Sequence, residues 1–532
     1  MSEVIEIENQ EISKDSATFS RFLKFVEWLG NLLPHPVTLF VLFCILVLVG
    51  SSIAEWMGLS VADPRPVGAK GRATDGLIHA VGLLNAEGLR QMLTQSVKNF
   101  TSFAPLGTVL VSMLGVGVAE YSGLLTTGIR ALVLKAPKNL ITLTVVFAGI
   151  ISNTASEMGY VVLIPLAGYV FLAVGRHPIA GMAAAFAGVS GGYSANLFIG
   201  TVDPLLSGIT QEAAQLIAPS YTVHAAINWY FMIVSTFMIS ILGAIVTEKI
   251  VEPQLGRYQS GNASEDLSDH TEMKSLTTTE KKGLFWATMS ALALGIVAVL
   301  TIVPEWGIFR DPVTGSALKS PFMSGIVTWI VIFFLVPSIV YGKIVGTIKN
   351  DKDVIEGMDS AMKSLALYIV LVFFAAQFVS YFKWTNLGSI IAVSGANAMQ
   401  AAGFTGPAIF IPFILICGFV NLMLGSASAQ WAVTAPIFVP MLMLLGYSPE
   451  VIQAAYRIGD STTNIITPMM AYFGLILAFA ARFVKNIGVG TIIATMLPYS
   501  MVFIIGWTIL FYIWVFALGL PVGPGTPTLY KP

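Results

Sequence analysis

Two cysteines in 532 residues, Cys44 and Cys417, both inside apolar segments, exclude a disulfide framework and a thiolate metal site and leave both as packing residues. Charge is also scarce: 11% of residues are Asp, Glu, Lys or Arg, where a soluble domain carries about a quarter. The Lys and Arg residues are scattered without a basic stripe, so nucleic acid is not an expected partner. The five histidines (His35, His79, His177, His224, His270) fall in loops or at the edges of apolar runs, which withholds the usual ligands and bases from an intramembrane metalloenzyme. The first twenty residues are acidic (Glu3, Glu6, Glu8, Glu11, Asp15) and lack the pattern of a cleaved signal peptide, so the first apolar run is expected to stay as an anchor. Neither a cofactor nor enzyme chemistry is expected.

Apolar residues dominate: 55% are hydrophobic and the mean hydropathy is +0.79, so the chain reads as an integral protein of the lipid bilayer with a small solute as its partner. Because ~30 Å of hydrocarbon needs ~20 residues of helix, full crossings are expected near 33–55, 102–120, 223–248, 282–303, 321–342, 363–382 and 489–518. Regions 177–217 and 448–484 each read as helix, polar break, helix, one broken span apiece, which makes nine crossings. Segments 138–173 and 407–446 each place two short apolar arms around a polar tip, Ser152-Asn153-Thr154-Ala155-Ser156-Glu157 and Gly425-Ser426-Ala427-Ser428-Ala429-Gln430. Arms too short to cross point to two re-entrant hairpins, since non-helical backbone at membrane depth survives only inside protein or along a wet cavity.

The order span, hairpin, broken span, span occurs twice, about 97–248 and 360–518. The breaks Gly192-Tyr193-Ser194-Ala195-Asn196-Leu197 and Gly459-Asp460-Ser461-Thr462-Thr463-Asn464-Ile465 occupy matching places. Corresponding elements lie five crossings apart, so the copies run in opposite directions, the inverted repeat of many secondary transporters. One membrane domain, 33–520, is expected between a cytoplasmic segment 1–32 and a tail 521–532. With the N-terminus inside, eighteen of the 28 Lys and Arg fall on the cytoplasmic side and nine outside, leaving Arg457 in the membrane and the C-terminus periplasmic.

Four charges sit in apolar surroundings: Glu157, Asp203, Arg457 and Asp460. Each costs roughly 2.5 to 3.5 kcal/mol at the bilayer centre unless it pairs or faces water. Arg457 and Asp460, three apart on one helix face, are placed to pair with each other. In the functional reading Arg457 meets a substrate carboxylate and Asp460 exchanges a proton. Asp203-Pro204 supports two readings, a helix N-cap followed by Pro at the first helical position, or a titrating group facing Asp460. Glu157, one turn past the first tip, fits a helix N-terminus. Ser152, Asn153, Thr154, Ser426 and Ser428 at the tips, with Ser194, Asn196, Thr462, Thr463 and Asn464 at the breaks, offer oxygens to a solute or to Na+, or simply pack closely. The candidate Na+ neighbourhood is Ser152, Asn153, Asn196, Ser426 and Asn464. Trp431 is placed to stack on an aromatic ring or to fill space, and Pro468 closes the second break.

Five stretches occur in order: Lys98-Asn99-Phe100 through Phe103-Ala104-Pro105-Leu106-Gly107, Ala173-Val174-Gly175-Arg176-His177-Pro178, Asn196 to Gly208, Trp431 to Pro440, and Arg457-Ile458-Gly459-Asp460-Ser461. In them the chain resembles the p-aminobenzoyl-glutamate transporter (AbgT) family over essentially its whole length, closest to its drug-efflux branch. The resemblance implies an all-α membrane fold of nine transmembrane helices and two re-entrant hairpins, and a homodimer in the bacterial inner membrane. It also implies p-aminobenzoate-type aromatic carboxylates or sulfonamides as solutes, exported by proton coupling, or ion-coupled import of p-aminobenzoyl-glutamate. Asp203, Ser428, Trp431, Pro449, Arg457, Asp460 and Pro468 fall where efflux members have functional residues. The expectation is therefore an elevator-type carrier. Asn153, Asn196, Ser428, Trp431, Arg457, Asn464 and Pro468 are expected to bind substrate, Asp203 and Asp460 to carry protons, with H+ as coupling ion and Na+ as the alternative. A channel and a membrane hydrolase are the rival classes, the second lacking a histidine at membrane depth.

Overall fold

The structure, a computed structural model, describes residues 36–65, 72–155, 159–258, 275–318, 320–470, 472–485 and 487–530. The N-terminal segment 1–32 and Glu157 lie outside the described residues, as do 531 and 532 of the tail.

Among the described residues the regular structure is helical apart from one short antiparallel pair, Ser60–Ala62 with Leu77–His79. The helices are α1 Pro36–Trp56, α2 Ala86–Thr101, α3 Ala104–Tyr121, α4 Leu124–Leu134, α5 Ile141–Ser152, α6 Ile164–Ala173, α7 Pro178–Phe186, α8 Val202–Ala214 and α9 Trp229–Val246. There follow α10 Thr278–Ile302, α11 Ile326–Val345, α12 Asp351–Ser364, α13 Ala366–Trp384, α14 Leu387–Ala401, α15 Phe410–Leu424, α16 Ala427–Leu444, α17 Pro449–Thr463, α18 Phe473–Phe483 and α19 Val489–Tyr512. Helix starts follow local chemistry: Thr277 and Glu280 form a reciprocal capping box on α10, and Asn350 with Asp353 does the same on α12.

Among the described residues nine helices are long and apolar enough to cross a membrane. Seven coincide with the simple crossings read from sequence, and the other two are the arms of the second hairpin, Pro407–Leu424 and Ala427–Leu444. These arms correct an expectation: at 18 residues each they reach about 27 Å at 1.5 Å per residue, so length alone does not make them re-entrant. The first hairpin keeps short arms, and α4 turns through 114° into the first of them. A second feature lies at 86–101, between the crossings expected near 33–55 and 102–120. It forms α2, capped by Asn85 accepting from the Gly88 N–H and running on into α3.

The broken spans are assembled from short pieces. One is α7, a wider π turn Ala187–Gly191, an irregular stretch and then α8; the other is α17, the single turn Asn464–Ile466 and then α18. In each half the first broken arm packs on the first hairpin arm through glycine. A Cβ at Gly188 would lie 2.2 Å from the Val146 carbonyl oxygen, and one at Gly459 would lie 2.4 Å from that of Ile414. In each half, too, a hairpin asparagine donates to the carbonyl one residue after that glycine: Asn153 Nδ2 to Val189 O at 2.8 Å and Asn421 Nδ2 to Asp460 O at 2.7 Å. This pairing aligns Gly188 with Gly459, one turn upstream of the Gly192 that the sequence sets beside it. Backbone contact, which only glycine permits at that separation, fixes the register; the polar residues of the two breaks do not.

Candidate functional site

The two breaks cross in the interior. The Ser194 N–H donates to Ser461 Oγ at 3.2 Å, and the Ser190 hydroxyl reaches Met470 Sδ at 3.2 Å. Both hairpin ends reach this crossing. The Cβ position of Gly200 lies 3.1 Å from Thr154 Cα, so the first tip rests on the run leading into α8. Gly425, left-handed at φ 56°, presses on the Met469 carbonyl, and Thr467 Oγ1 donates to Leu422 O at 2.8 Å, so the second tip rests on the residues flanking Pro468. Ser426 and Ser428 share the second tip, their hydroxyl oxygens 3.5 Å apart.

Arg457 does not pair with Asp460. Its Nη1 donates to Asp203 Oδ1 at 2.6 Å and its Nη2 to the Ser194 carbonyl at 2.8 Å, binding the second broken span to the first. At i and i+3 the short Asp460 side chain shares a helix face with Arg457, but the guanidinium extends across the crossing to a carboxylate that no other cation among the described residues holds. Both partners are buried, Arg457 1% and Asp203 6% exposed. Asp203 Oδ2 accepts from the Gly200 N–H at 2.8 Å and from Asn196 Nδ2 at 3.4 Å. The N-cap reading of Asp203 is corrected as well: α8 starts at Val202, so Asp203 stands within the first turn, where the helix N-terminus favours its negative charge.

Asp460 has a different environment. It is fully buried, its Oδ1 receives one long bond from the Tyr456 hydroxyl at 3.4 Å, and its Oδ2 has no partner among the described residues. The Tyr456 ring stacks on Trp431 at 4.1 Å, and Trp431 Nε1 donates to Thr210 Oγ1 at 2.8 Å. Thr210 in turn donates to Gln453 Oε1, and Gln453 Nε2 to Asn228 Oδ1. One face of the Trp431 ring is thus covered by Tyr456 and its polar edge is engaged.

Asn421 escaped the sequence reading because it sits inside an apolar helix, although an amide in Phe419-Val420-Asn421-Leu422-Met423 was itself the signal. It stands where Asn153 stands in the first half and donates also to Asn464 Oδ1 at 2.8 Å and Thr463 Oγ1 at 3.0 Å. Tyr456, Thr210 and Gln453 were missed for the same reason: each is a single polar group on a buried face.

Seven buried side-chain polar atoms among the described residues have no hydrogen-bond partner: Thr154 Oγ1, Ser194 Oγ, Asn196 Oδ1, Asn421 Oδ1, Gln430 Oε1, Arg457 Nε and Asp460 Oδ2. All seven lie in the two hairpins and two broken spans. Native interiors leave few such atoms, and a concentration of them in one place marks a region built to meet something else. Of the oxygens expected to face a cation, Asn196 Oδ1 is free, the Ser152 hydroxyl donates to Gly149 O at 2.6 Å, and Asn464 Oδ1 accepts from Asn421. No group of three His, Cys, Asp or Glu that could hold a metal ion occurs among the described residues.

A helical membrane protein whose discontinuous helices cross around a buried ion pair and unpaired polar groups has the build of a secondary transporter. Comparison with known proteins identifies which kind. Residues 21–530 match the model of the AbgT putative transporter family, and the chain belongs to that family. It is 38% identical over 511 residues to the p-aminobenzoyl-glutamate transport protein of Escherichia coli, covering 96% of this chain and 97% of that one. The structure of MtrF from Neisseria gonorrhoeae, described with a class of antimetabolite efflux pumps, superposes with a TM-score of 0.89 at 61% identity. That match covers 95% of this chain and all of MtrF. The YdaH transporter of Alcanivorax borkumensis follows at 0.84 and 44%, covering 92% of this chain and all of YdaH. The protein is a multi-pass membrane transporter of a bacterial family.

Proposed function

We propose that this transporter exports p-aminobenzoate-type aromatic acids and sulfonamide antimetabolites, driven by the proton gradient across the bacterial inner membrane. The observation that carries the reading is the confinement of all seven unpartnered polar atoms to the four elements that cross around Arg457. In this reading a substrate carboxylate competes with Asp203 for the Arg457 guanidinium, whose planar fork suits a carboxylate. Asp203, once released, and Asp460 are the proton carriers, because a carboxyl that alternates between dry and wet surroundings exchanges its proton within the cycle. Asn153, Asn196, Ser428, Trp431, Asn464 and Pro468 line the solute's path. Hairpins and broken spans move as one body against the remaining helices, which form the scaffold of a homodimer, with the N-terminus cytoplasmic and the C-terminus periplasmic.

Purified protein in vesicles loaded with p-aminobenzoate tests this, with proton and sodium gradients imposed separately. Export that rises with an opposing proton gradient is the expected result; indifference to that gradient refutes proton coupling. The second reading, ion-coupled import of p-aminobenzoyl-glutamate, draws on what the Escherichia coli relative is named for, and sodium- or proton-dependent uptake of that compound identifies it.

A further inference from the structure

A cavity of about 1460 Å3 lies at the face carrying the 215–228 loop and the C-terminal tail, the face expected to be periplasmic. One wall is a single stripe of α8, Pro204, Ser207, Gly208 and Gln211, so the cavity runs down that helix to the residue next to Asp203. Helices α3 and α11 contribute Thr108 and Val327 to the lining. Glu450 lines the cavity with Tyr221 and Tyr530.

Glu450 is 4% exposed and has no cation within ion-pair distance among the described residues. Its charge is supported instead by its place in the first turn of α17, after Pro449, and by the Tyr221 hydroxyl, which donates to its two oxygens at 2.9 and 3.0 Å. A carboxylate has about four acceptor positions, and the Tyr221 and Ser448 hydroxyls with the Glu450 backbone N–H do not fill them all. The Tyr221 and Tyr530 rings meet edge to face at 6.0 Å beside it, an aromatic wall suited to an aryl ring. Among the described residues the lining holds no Lys or Arg; Lys319, between Leu318 and Ser320, lies outside them. Glu450 and Arg457 are seven apart on α17, the same face two turns on and about 10 Å along the axis. A solute leaving Arg457 toward this face meets Glu450 next.

We propose that Glu450 recognises the amine end of the solute, accepting the N–H groups of an arylamine in this cavity while the Tyr221 and Tyr530 rings hold its aryl ring, so that Arg457 reads the acid and Glu450 the amine. This deepens the export reading above and rests on it.

The test is the selectivity of Glu450→Gln in vesicles, measured as the ratio of p-aminobenzoate to benzoate, both as transported solutes and as competitors of labelled p-aminobenzoate. The amide offers one acceptor in place of a carboxylate, and the ratio is expected to fall about tenfold, the equivalent of one hydrogen bond to a charged group. An unchanged ratio, whether both solutes fall together or neither moves, overturns the proposal. Glu450→Asp, which keeps the carboxylate, is expected to retain more selectivity than Glu450→Gln, and it carries the test if the glutamine variant does not yield folded protein by thermal melting. Wild-type protein that moves no p-aminobenzoate under any gradient would sink the export reading itself. Wild-type transport with the p-aminobenzoate to benzoate ratio unchanged in Glu450→Gln would sink only this proposal.

Discussion

Arg457 holds Asp203 at 2.6 Å across 254 positions of sequence and passes over Asp460, three residues away on its own helix. The ion pair therefore joins the second broken span to the first and leaves Asp460 without a cationic partner among the described residues. The two acids differ in kind as a result: Asp203 is locked by three donors, Arg457, Gly200 and Asn196, and Asp460 by one long bond.

Breaking a buried pair strands the surviving charge, at a cost of about 3 to 5 kcal/mol. Asp203→Asn and Arg457→Gln are each expected to lower the melting temperature strongly. The double variant should be more stable than the sum of the single losses, because neither charge is left alone. Transport should be absent in all three. Strictly additive losses in the thermal melt would show that the pair does not couple the two spans.

Asn421 makes a second bridge, between the second hairpin and the second broken span. Asn421→Leu removes three bonds, to Asp460 O, Thr463 and Asn464, each worth about 1 kcal/mol net. It also exposes the Asp460 carbonyl to an apolar neighbour. A loss of about 2 to 3 kcal/mol in unfolding and a severe loss of transport are expected. Asn153→Leu at the matching contact in the first half should behave alike, and a neutral outcome at either would break the equivalence of the two asparagines.

How much of this was legible in the sequence follows from the kind of signal each feature leaves. The long spans show as composition, so α1, α9, α10, α11, α13 and α19 were placed from hydropathy alone. The breaks show as clusters of Ser, Thr, Asn and Gly, and the crossing lies at those clusters. Isolated polar residues leave no cluster: Asn421, Gln453 and Thr210 act through partners dozens to hundreds of residues distant, and a single sequence carries no trace of such pairs. The Arg457 partner was misjudged for a related reason. Helix periodicity reports neighbours on one helix, whereas the choice between Asp460 and Asp203 depends on how two helices cross. The one-turn offset between Gly188 and Gly192 has the same origin, since close backbone approach selects one glycine among several.

Asp353 offers a pH-dependent test of the scaffold. The Lys349 and Asn350 backbone N–H groups hold its carboxyl below the usual range, and it completes the cap of α12, which packs through Gly357 on Val118 of α3. A folded pKa lying below the unfolded one means the cap contributes fully above the unfolded value, near 4, and loses its contribution as pH falls through the folded value. Asp353→Asn should therefore melt below wild type at pH 7, with the gap narrowing below about pH 4. A gap that stays constant down to acid pH would mean that the charge is not what the cap uses.

Arg176 ties the base of the first hairpin to Glu252, in the helical segment that continues beyond α9. Its Nε and Nη2 grip the Glu252 carboxylate, its Nη1 donates to Thr142 Oγ1 at 2.7 Å, and its guanidinium lies 4.2 Å over the Phe171 ring. Thr142 opens one hairpin arm and Phe171 ends the other, so a single side chain fixes both arms to Glu252. Lysine keeps the charge and the contact with the ring, but its point charge cannot engage a carboxylate and a hydroxyl in one plane. Arg176→Ala is expected to destabilise by about 2 kcal/mol, the scale of a partly exposed charge-assisted pair, with Arg176→Lys recovering less than half. Transport should fall further than stability in both, because a hairpin base free to tilt misplaces the tip that rests on Gly200. Thermal melting alongside vesicle transport separates the two effects, and full rescue by lysine would show that charge alone, without the fork, holds the hairpin.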